Sequence, residues 1–170
     1  MISIKHAETE LVLAFIGLGS NLENPEAQIQ SAHRAIADLD GVEELAFSGL
    51  YQSVPMGPKD QPDYINAVMA VKTSLPPQVF LRCLQSIEHQ QGRVRDGQRW
   101  GARTLDLDLL IYGDQQIQTP DLTVPHPGIA ERAFVLYPLH ELTSQIQVPG
   151  MGKITDLLEK CPASGLKRLN

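Results

Sequence analysis

The sequence predicts an α+β domain built on an antiparallel sheet with its main helices on one face. Three observations carry that prediction. Apolar runs of strand length (11–16, 64–73 and 105–112) alternate with stretches of helical period. Glycine and proline punctuate the junctions between them. At 170 residues the chain is long enough to bury one real core and suits a single domain.

Leu11 to Ile16 is a short apolar run that halts at Gly17 and reads as a buried strand. Gly17-Leu18-Gly19-Ser20-Asn21-Leu22 then reads as a tight loop, since no third glycine completes a dinucleotide fingerprint and no Gly-Lys-Ser follows for a P-loop. Asn24-Pro25 supplies an N-cap and a proline for the first helical position. Ile29, Ala32, Ile36 and Leu39 recur at helical spacing, and Gly41 is a candidate left-handed cap. Residues 43–52 form a second strand candidate. The stretch 53–63 (SVPMGPKDQPD) is a loop by its proline, glycine and charge. From Tyr64 to Thr73, Ile65, Ala67, Met69 and Val71 take one face for the core. Tyr64, Asn66 and Val68 take the other, where Tyr64 and Asn66 either line a pocket or sit on a half-wet sheet surface.

Pro76-Pro77 opens a second helix with Phe80, Cys83, Leu84 and Ile87 as its buried stripe, while Gln85 and Glu88 share a neighbouring face. The strand 105–112 follows, then a turn at Gly113-Asp114 and a small hairpin from 116–118 with 122–124. Pro125-His126-Pro127 is rigid, 129–132 suits a helical turn, and 134–137 is a short apolar run. After Pro149-Gly150 comes a last amphipathic helix with Ile154, Leu157, Leu158 and Cys161 on one side. Strand, helix, strand, strand, helix, strand is the order of a ferredoxin-like βαββαβ core. The C-terminal additions would cover the second sheet face and make a three-layer α/β/α domain.

Composition excludes several classes. Twenty acidic against fourteen basic residues leave a net charge of −6, which argues against a nucleic-acid coat. No run approaches the roughly 20 apolar residues of a membrane span, and 1–10 read as a ragged N-terminal extension ahead of a domain 11–170, not as a signal peptide. The expected location is the cytoplasm. Cys83 and Cys161 belong to no CxxC or Cys/His cluster and read as small core residues.

Against that acidic average, Arg93, Arg95, Arg99 and Arg103 fall within eleven residues, half of the eight arginines in the chain. Directly behind them Leu105-Asp106-Leu107-Asp108-Leu109 alternates apolar with acidic. On a strand Asp106 and Asp108 share a face about 7 Å apart, where two like charges repel unless a cation joins them. Two carboxylates suit magnesium, which completes its shell with water and phosphate oxygens. Arginine is the side chain for bidentate phosphate contact, so the 93–103 segment reads as a lid over a polyphosphate and the aspartates as its metal floor. Trp100, in the middle of that lid, needs a planar ligand or an aromatic partner to pack on.

The segment 99–110 (RWGARTLDLDLL) closely resembles the signature of the 6-hydroxymethyl-7,8-dihydropterin pyrophosphokinases of folate biosynthesis. Further blocks resemble that family in order: Gly17-Leu18-Gly19-Ser20-Asn21, 51–57, 60–67 (DQPDYINA), Ile87-Glu88, Gly92-Arg93-Val94-Arg95, 122–127 (LTVPHP) and 132–136 (RAFVL). The resemblance implies transfer of the diphosphate of ATP to the pterin hydroxymethyl with release of AMP, by a monomer, with two Mg2+ ions held by Asp106 and Asp108. It implies a pterin pocket of Ser53, Val54, Met56, Tyr64, Asn66, Trp100 and Phe134. It assigns ATP to Gln85, Glu88, Arg95, Trp100, Arg103, Leu109, Thr123, His126 and Arg132, with Arg93 and Arg103 nearest the transferring phosphates. Ser53 stands where threonine is usual, and Asp96 where some members are basic. RNA-recognition domains share the element order, but they stack bases on central-strand aromatics, and 64–73 offers only one aromatic. A kinase releasing ADP is the nearer rival.

Overall fold

A computed structural model describes residues 10–57, 60–92 and 105–170. The predicted extension 1–10, but for its last residue, and the whole arginine segment from Arg93 to Arg103 lie outside the described residues. Strand β1 (Val12–Ser20) is followed by helix α1 (Pro25–Ala37), strands β2 (Val42–Phe47), β3 (Tyr51–Ser53) and β4 (Tyr64–Thr73), helix α2 (Pro77–Gln90) and strand β5 (Asp106–Tyr112). The hairpin β6 (Ile117–Gln118) and β7 (Thr123–Val124), a 3-10 turn at Ile129–Glu131 and helix α3 (Ala133–Leu142) come next. The chain closes with β8 (Gln147–Val148), β9 (Gly152–Lys153), α4 (Ile154–Glu159) and β10 (Leu166–Arg168). Among the described residues no helix is long and apolar enough to cross a membrane.

The main sheet runs β10-β3-β4-β1-β5, with β2 also on β4, and every pairing in it is antiparallel. The period-2 pattern of β4 sorts its side chains as the sequence predicts. Ile65, Ala67, Met69 and Val71 meet Ile29, Ala32 and Ile36 of α1 and Phe80, Leu84 and Ile87 of α2. Phe80 and Leu84 are fully buried, each contributing on the order of 2 kcal/mol by leaving water. On the opposite face Phe15, Val68, Ala70, Leu110 and Ile111 pack under Val135, Leu136 and Leu139 of α3 and Ile154 of α4. Helices therefore cover both faces. The far side of β4 is a second core with the site at one end, not a half-wet surface.

Several expectations need correction. β1 does not stop at Gly17 but runs through Gly17-Leu18-Gly19 to Ser20, because both its neighbours pair with it there: Gly17 lies opposite Val68 and Asp108, and Gly19 opposite Asn66 and Asp106. The strand expected over 43–52 is two strands, with Ser48, Gly49 and Leu50 turning the chain between them. Asn24 makes no side-chain cap; it takes a left-handed conformation (φ 61°) and its carbonyl accepts from Gln28 N–H. Gly41 (φ 83°) lies beyond the end of α1, at the turn into β2, where its carbonyl accepts from Ser74 N–H and the Thr73 hydroxyl. Phe134–Tyr137 belongs to α3, and β10 has no expected counterpart. Cys161 is buried, but Cys83 is only half-buried on the flank of α2.

A hub at Glu141 on α3 ties β10 and β3 to the rest. One carboxylate oxygen accepts from Gly49 N–H at 2.7 Å, the other from the Tyr51 hydroxyl and Arg168 Nε, both at 2.8 Å. Burial is the largest influence on its pKa and pushes it up. The hydrogen bonds from Arg168, Gly49 and Tyr51, with the Arg168 charge, outweigh it and hold the carboxyl below its ordinary value of 4.5. Because the folded value is the lower one, this stabilisation is complete above the unfolded carboxyl's pKa and lost as pH falls through the folded one. Glu141→Gln is expected to lower the melting temperature by a few degrees at pH 7, a small effect because Arg168 is open to solvent. The gap to wild type should narrow in thermal melts as pH falls below the ordinary carboxyl value of 4.5. A gap that does not change as the carboxylates are titrated would show that the carboxylate charge contributes nothing.

Candidate active site

The two glycines of β1 decide where a ligand fits. They share one face of the central strand with Phe15, the face turned towards α3. A Cβ on Gly17 would touch the Leu110 side chain at 3.4 Å, and one on Gly19 would stand 3.4 Å from Asn66 Oδ1 and 3.8 Å from Tyr64 Cδ1. With no side chains there, a cavity of about 490 Å³ opens over the sheet.

One end of this cavity presents Tyr64 and Asn66 from β4 and Ser53, Val54 and Met56 from β3 and the chain beyond it. Asn66 is 4% exposed, and its Nδ2 donates to the Ser53 hydroxyl at 2.8 Å and to Tyr51 O at 3.2 Å. With both amide hydrogens engaged, Oδ1 is left on the Gly19 side as an acceptor for the cavity. Val54 and Met56 are half exposed, and Phe134 at the start of α3 stands on the cavity's α3 side. At the base of the adjoining loop, Asn21 Nδ2 donates to Gln61 Oε1 at 3.1 Å and to Pro62 O at 2.9 Å.

The other end presents Asp106 and Asp108 from β5, then His126 and Arg132. Leu107, between the aspartates, faces the α1/α2 core, so the alternation sends both carboxylates to the cavity side. Glu88 braces this strand: it is 2% exposed, and its Oε2 accepts from Leu107 N–H at 2.9 Å. Further along β5 a bulge helps place His126. Phe15 pairs with Ile111 but Ile16 with Leu109, leaving Leu110 as the extra residue, and its carbonyl accepts from His126 N–H at 2.8 Å. His126 Nδ1 accepts from Gly128 N–H at 3.0 Å, so in the neutral ring the proton sits on Nε2, 4.0 Å from Asp108 Oδ1. Burial, and then the Arg132 charge, push the His126 pKa down to about 4, against an opposing pull from Asp106. At neutral pH this histidine is a hydrogen-bond donor without a charge. The Arg132 guanidinium lies 5.9 Å from the centre of the Phe134 ring.

Of the residues expected at the site, ten meet in this one cavity: Ser53, Val54, Met56, Tyr64, Asn66, Asp106, Asp108, His126, Arg132 and Phe134. Four described ones do not line it. Gln85 is exposed on α2, Glu88 is turned inward from the face it was expected to share with Gln85, Leu109 is buried among the α1/α2 core, and Thr123 is exposed on β7. Arg93, Arg95, Trp100 and Arg103 lie outside the described residues. Gly17, Gly19, Leu110, Gly128 and Glu131 also line the cavity and were not expected there. The glycines of β1 had a legible signal, since Ile16 and Leu18 continue the strand's alternation straight through them.

A cavity that joins an aromatic and a buried amide at one end to two carboxylates, a histidine and an arginine at the other has the lining of a small-molecule site. The model of the 7,8-dihydro-6-hydroxymethylpterin-pyrophosphokinase family matches residues 15–144, and the chain belongs to that family. The chain is 48% identical over 155 residues to the 2-amino-4-hydroxy-6-hydroxymethyldihydropteridine pyrophosphokinase of Pseudomonas aeruginosa, covering 91% of this chain and 95% of that one. It is 44% identical to the Haemophilus influenzae protein of the same name, covering 94% and 99%. Among solved structures it is similar to a Plasmodium falciparum HPPK-DHPS triple mutant with a TM-score of 0.72 at 14% identity. That match covers 91% of this chain but only 44% of the longer one, and it speaks for the fold.

Proposed function

We propose that this protein transfers the diphosphate of ATP to the hydroxymethyl group of 6-hydroxymethyl-7,8-dihydropterin, giving the dihydropterin diphosphate and AMP in a step of folate biosynthesis. The observation that carries the reading is the single cavity shared by Tyr64 and Asn66, Asp106 and Asp108, and His126 and Arg132. Its order of strands, β5-β1-β4 with β2 and β3 beyond, supports a ferredoxin-like core beneath the C-terminal layer.

The donor set fits the metal that the family implies. Asp106 and Asp108 are hard oxygen ligands on one strand face, partly open to the cavity, as two Mg2+ ions shared with phosphate oxygens require. Bound there, the ions would neutralise the polyphosphate and acidify the pterin hydroxyl. Tyr64 and Phe134 sandwich the ring, and Asn66 Oδ1 accepts from its amino-pyrimidine edge, which fixes where the hydroxymethyl group points. His126 donates to a phosphate oxygen from Nε2, and Arg132 adds charge beside it. Among the residues outside the description, Arg93, Arg95, Trp100 and Arg103 would close over the nucleotide, Arg93 and Arg103 stabilising charge on the moving phosphates. Glu88 acts through β5, by holding the strand that carries both aspartates. Gln85, the Leu109 backbone and Thr123 would reach the parts of ATP furthest from the reaction.

ATP, magnesium and the dihydropterin together are expected to yield AMP in step with pterin consumed, read by nucleotide chromatography. Release of ADP, or nucleotide turnover that ignores the pterin, would sink the reading.

A further inference from the structure

Gly128 stands between the two side chains that face the nucleotide end of the cavity. Its N–H holds His126 Nδ1, and its bare Cα lies against Arg132. A Cβ built on Gly128 would fall 2.5 Å from Arg132 Nε and 2.7 Å from Cζ, closer than real Cβ atoms come, and 3.1 Å from Cδ. The backbone itself does not ask for glycine, because φ is −83° and ψ −4°, a conformation open to any residue. What asks for glycine is the guanidinium.

We propose that Gly128 is a positioning residue for Arg132: the missing side chain is the seat that holds the guanidinium at the cavity wall, against the edge of the pterin wall at Phe134. The Arg132–Phe134 contact at 5.9 Å then joins the nucleotide end to the pterin end through one side chain. A methyl group at 128 displaces the flexible end of Arg132, which costs the fold little, but it moves the charge away from where the phosphates bind. Alanine keeps the N–H that orients His126, so the substitution separates the seat from the histidine.

The inference rests on Arg132 holding ATP, and a double-mutant cycle keeps the two apart. Gly128→Ala is expected to raise the KM for ATP roughly tenfold, the scale of one weakened charge-assisted contact. Its kcat should stay within about threefold of wild type and its melting temperature within a few degrees. In an Arg132→Ala background the same Gly128→Ala change should add less than twofold, because there is no guanidinium left to displace. If Arg132→Ala leaves the KM for ATP unchanged, the assignment of Arg132 to ATP fails, and this proposal with it. If Arg132→Ala raises that KM while Gly128→Ala does not, only the seat is wrong. Equal effects of Gly128→Ala in both backgrounds would also overturn it, by showing that Gly128 acts through something other than Arg132.

Discussion

Asp108→Asn is expected to lower turnover by roughly a hundredfold to a thousandfold, the scale of losing one preorganised group that stabilises transition-state charge. Stability should not follow. The side chain is 35% exposed on the cavity side, asparagine has nearly its shape, and the strand keeps both the Gly17 pairing and the Glu88 brace at Leu107. The asparagine variant should therefore melt within a few degrees of wild type in the presence of a chelator. Turnover measured across a magnesium titration, beside thermal melts, checks both halves. Near-normal turnover at limiting magnesium would remove Asp108 from the metal floor.

Asn66→Ala should act at the other end of the cavity. The KM for the dihydropterin is expected to rise roughly tenfold to a hundredfold, because a buried, preoriented acceptor for the ring edge is lost. ATP affinity without pterin should change less than twofold. The fold pays as well: Tyr51 O and the Ser53 hydroxyl each lose a buried partner, for about 1–2 kcal/mol in denaturant titrations. Ser53→Ala releases one of the two bonds that aim the amide and should give a smaller rise in the same KM, whereas Ser53→Thr keeps the hydroxyl and should be nearly silent. A common change in the KM values for both substrates would mean that Asn66 supports the sheet and does not read the pterin.

How much of this was legible depended on whether a residue's neighbours are near in sequence. The faces of β4 and the buried stripe of α2 followed from periodicity, since packing there repeats at the period of the element. The alternation of 105–109 likewise placed both aspartates in the cavity. Gly17 and Gly19 misled because glycine signals a turn when its partners are unknown, and those partners, Val68, Asn66, Asp106 and Asp108, lie far along the chain. Glu88 misled for a related reason. Helical spacing put it beside Gln85, but it is buried against β5, where it accepts from the Leu107 N–H. β10 is three residues long and held by Glu141, Asn170 and β3, none of which leaves a local pattern. The seat at Gly128 was equally hidden, because the contact of its bare Cα with the Arg132 side chain exists only in three dimensions.

The glycine face of β1 also bears on how the molecule assembles. Stripped of side chains at Gly17 and Gly19, this half of the strand has little local preference for an extended form. It becomes a strand only when β4 and β5 close on it from either side, and both must first be brought back across long stretches of chain. The floor of the cavity and the centre of the sheet are thus one cooperative unit. A refolding chain should recover ligand binding together with the whole sheet and not before it, and a bound ligand should raise the melting temperature of the entire domain.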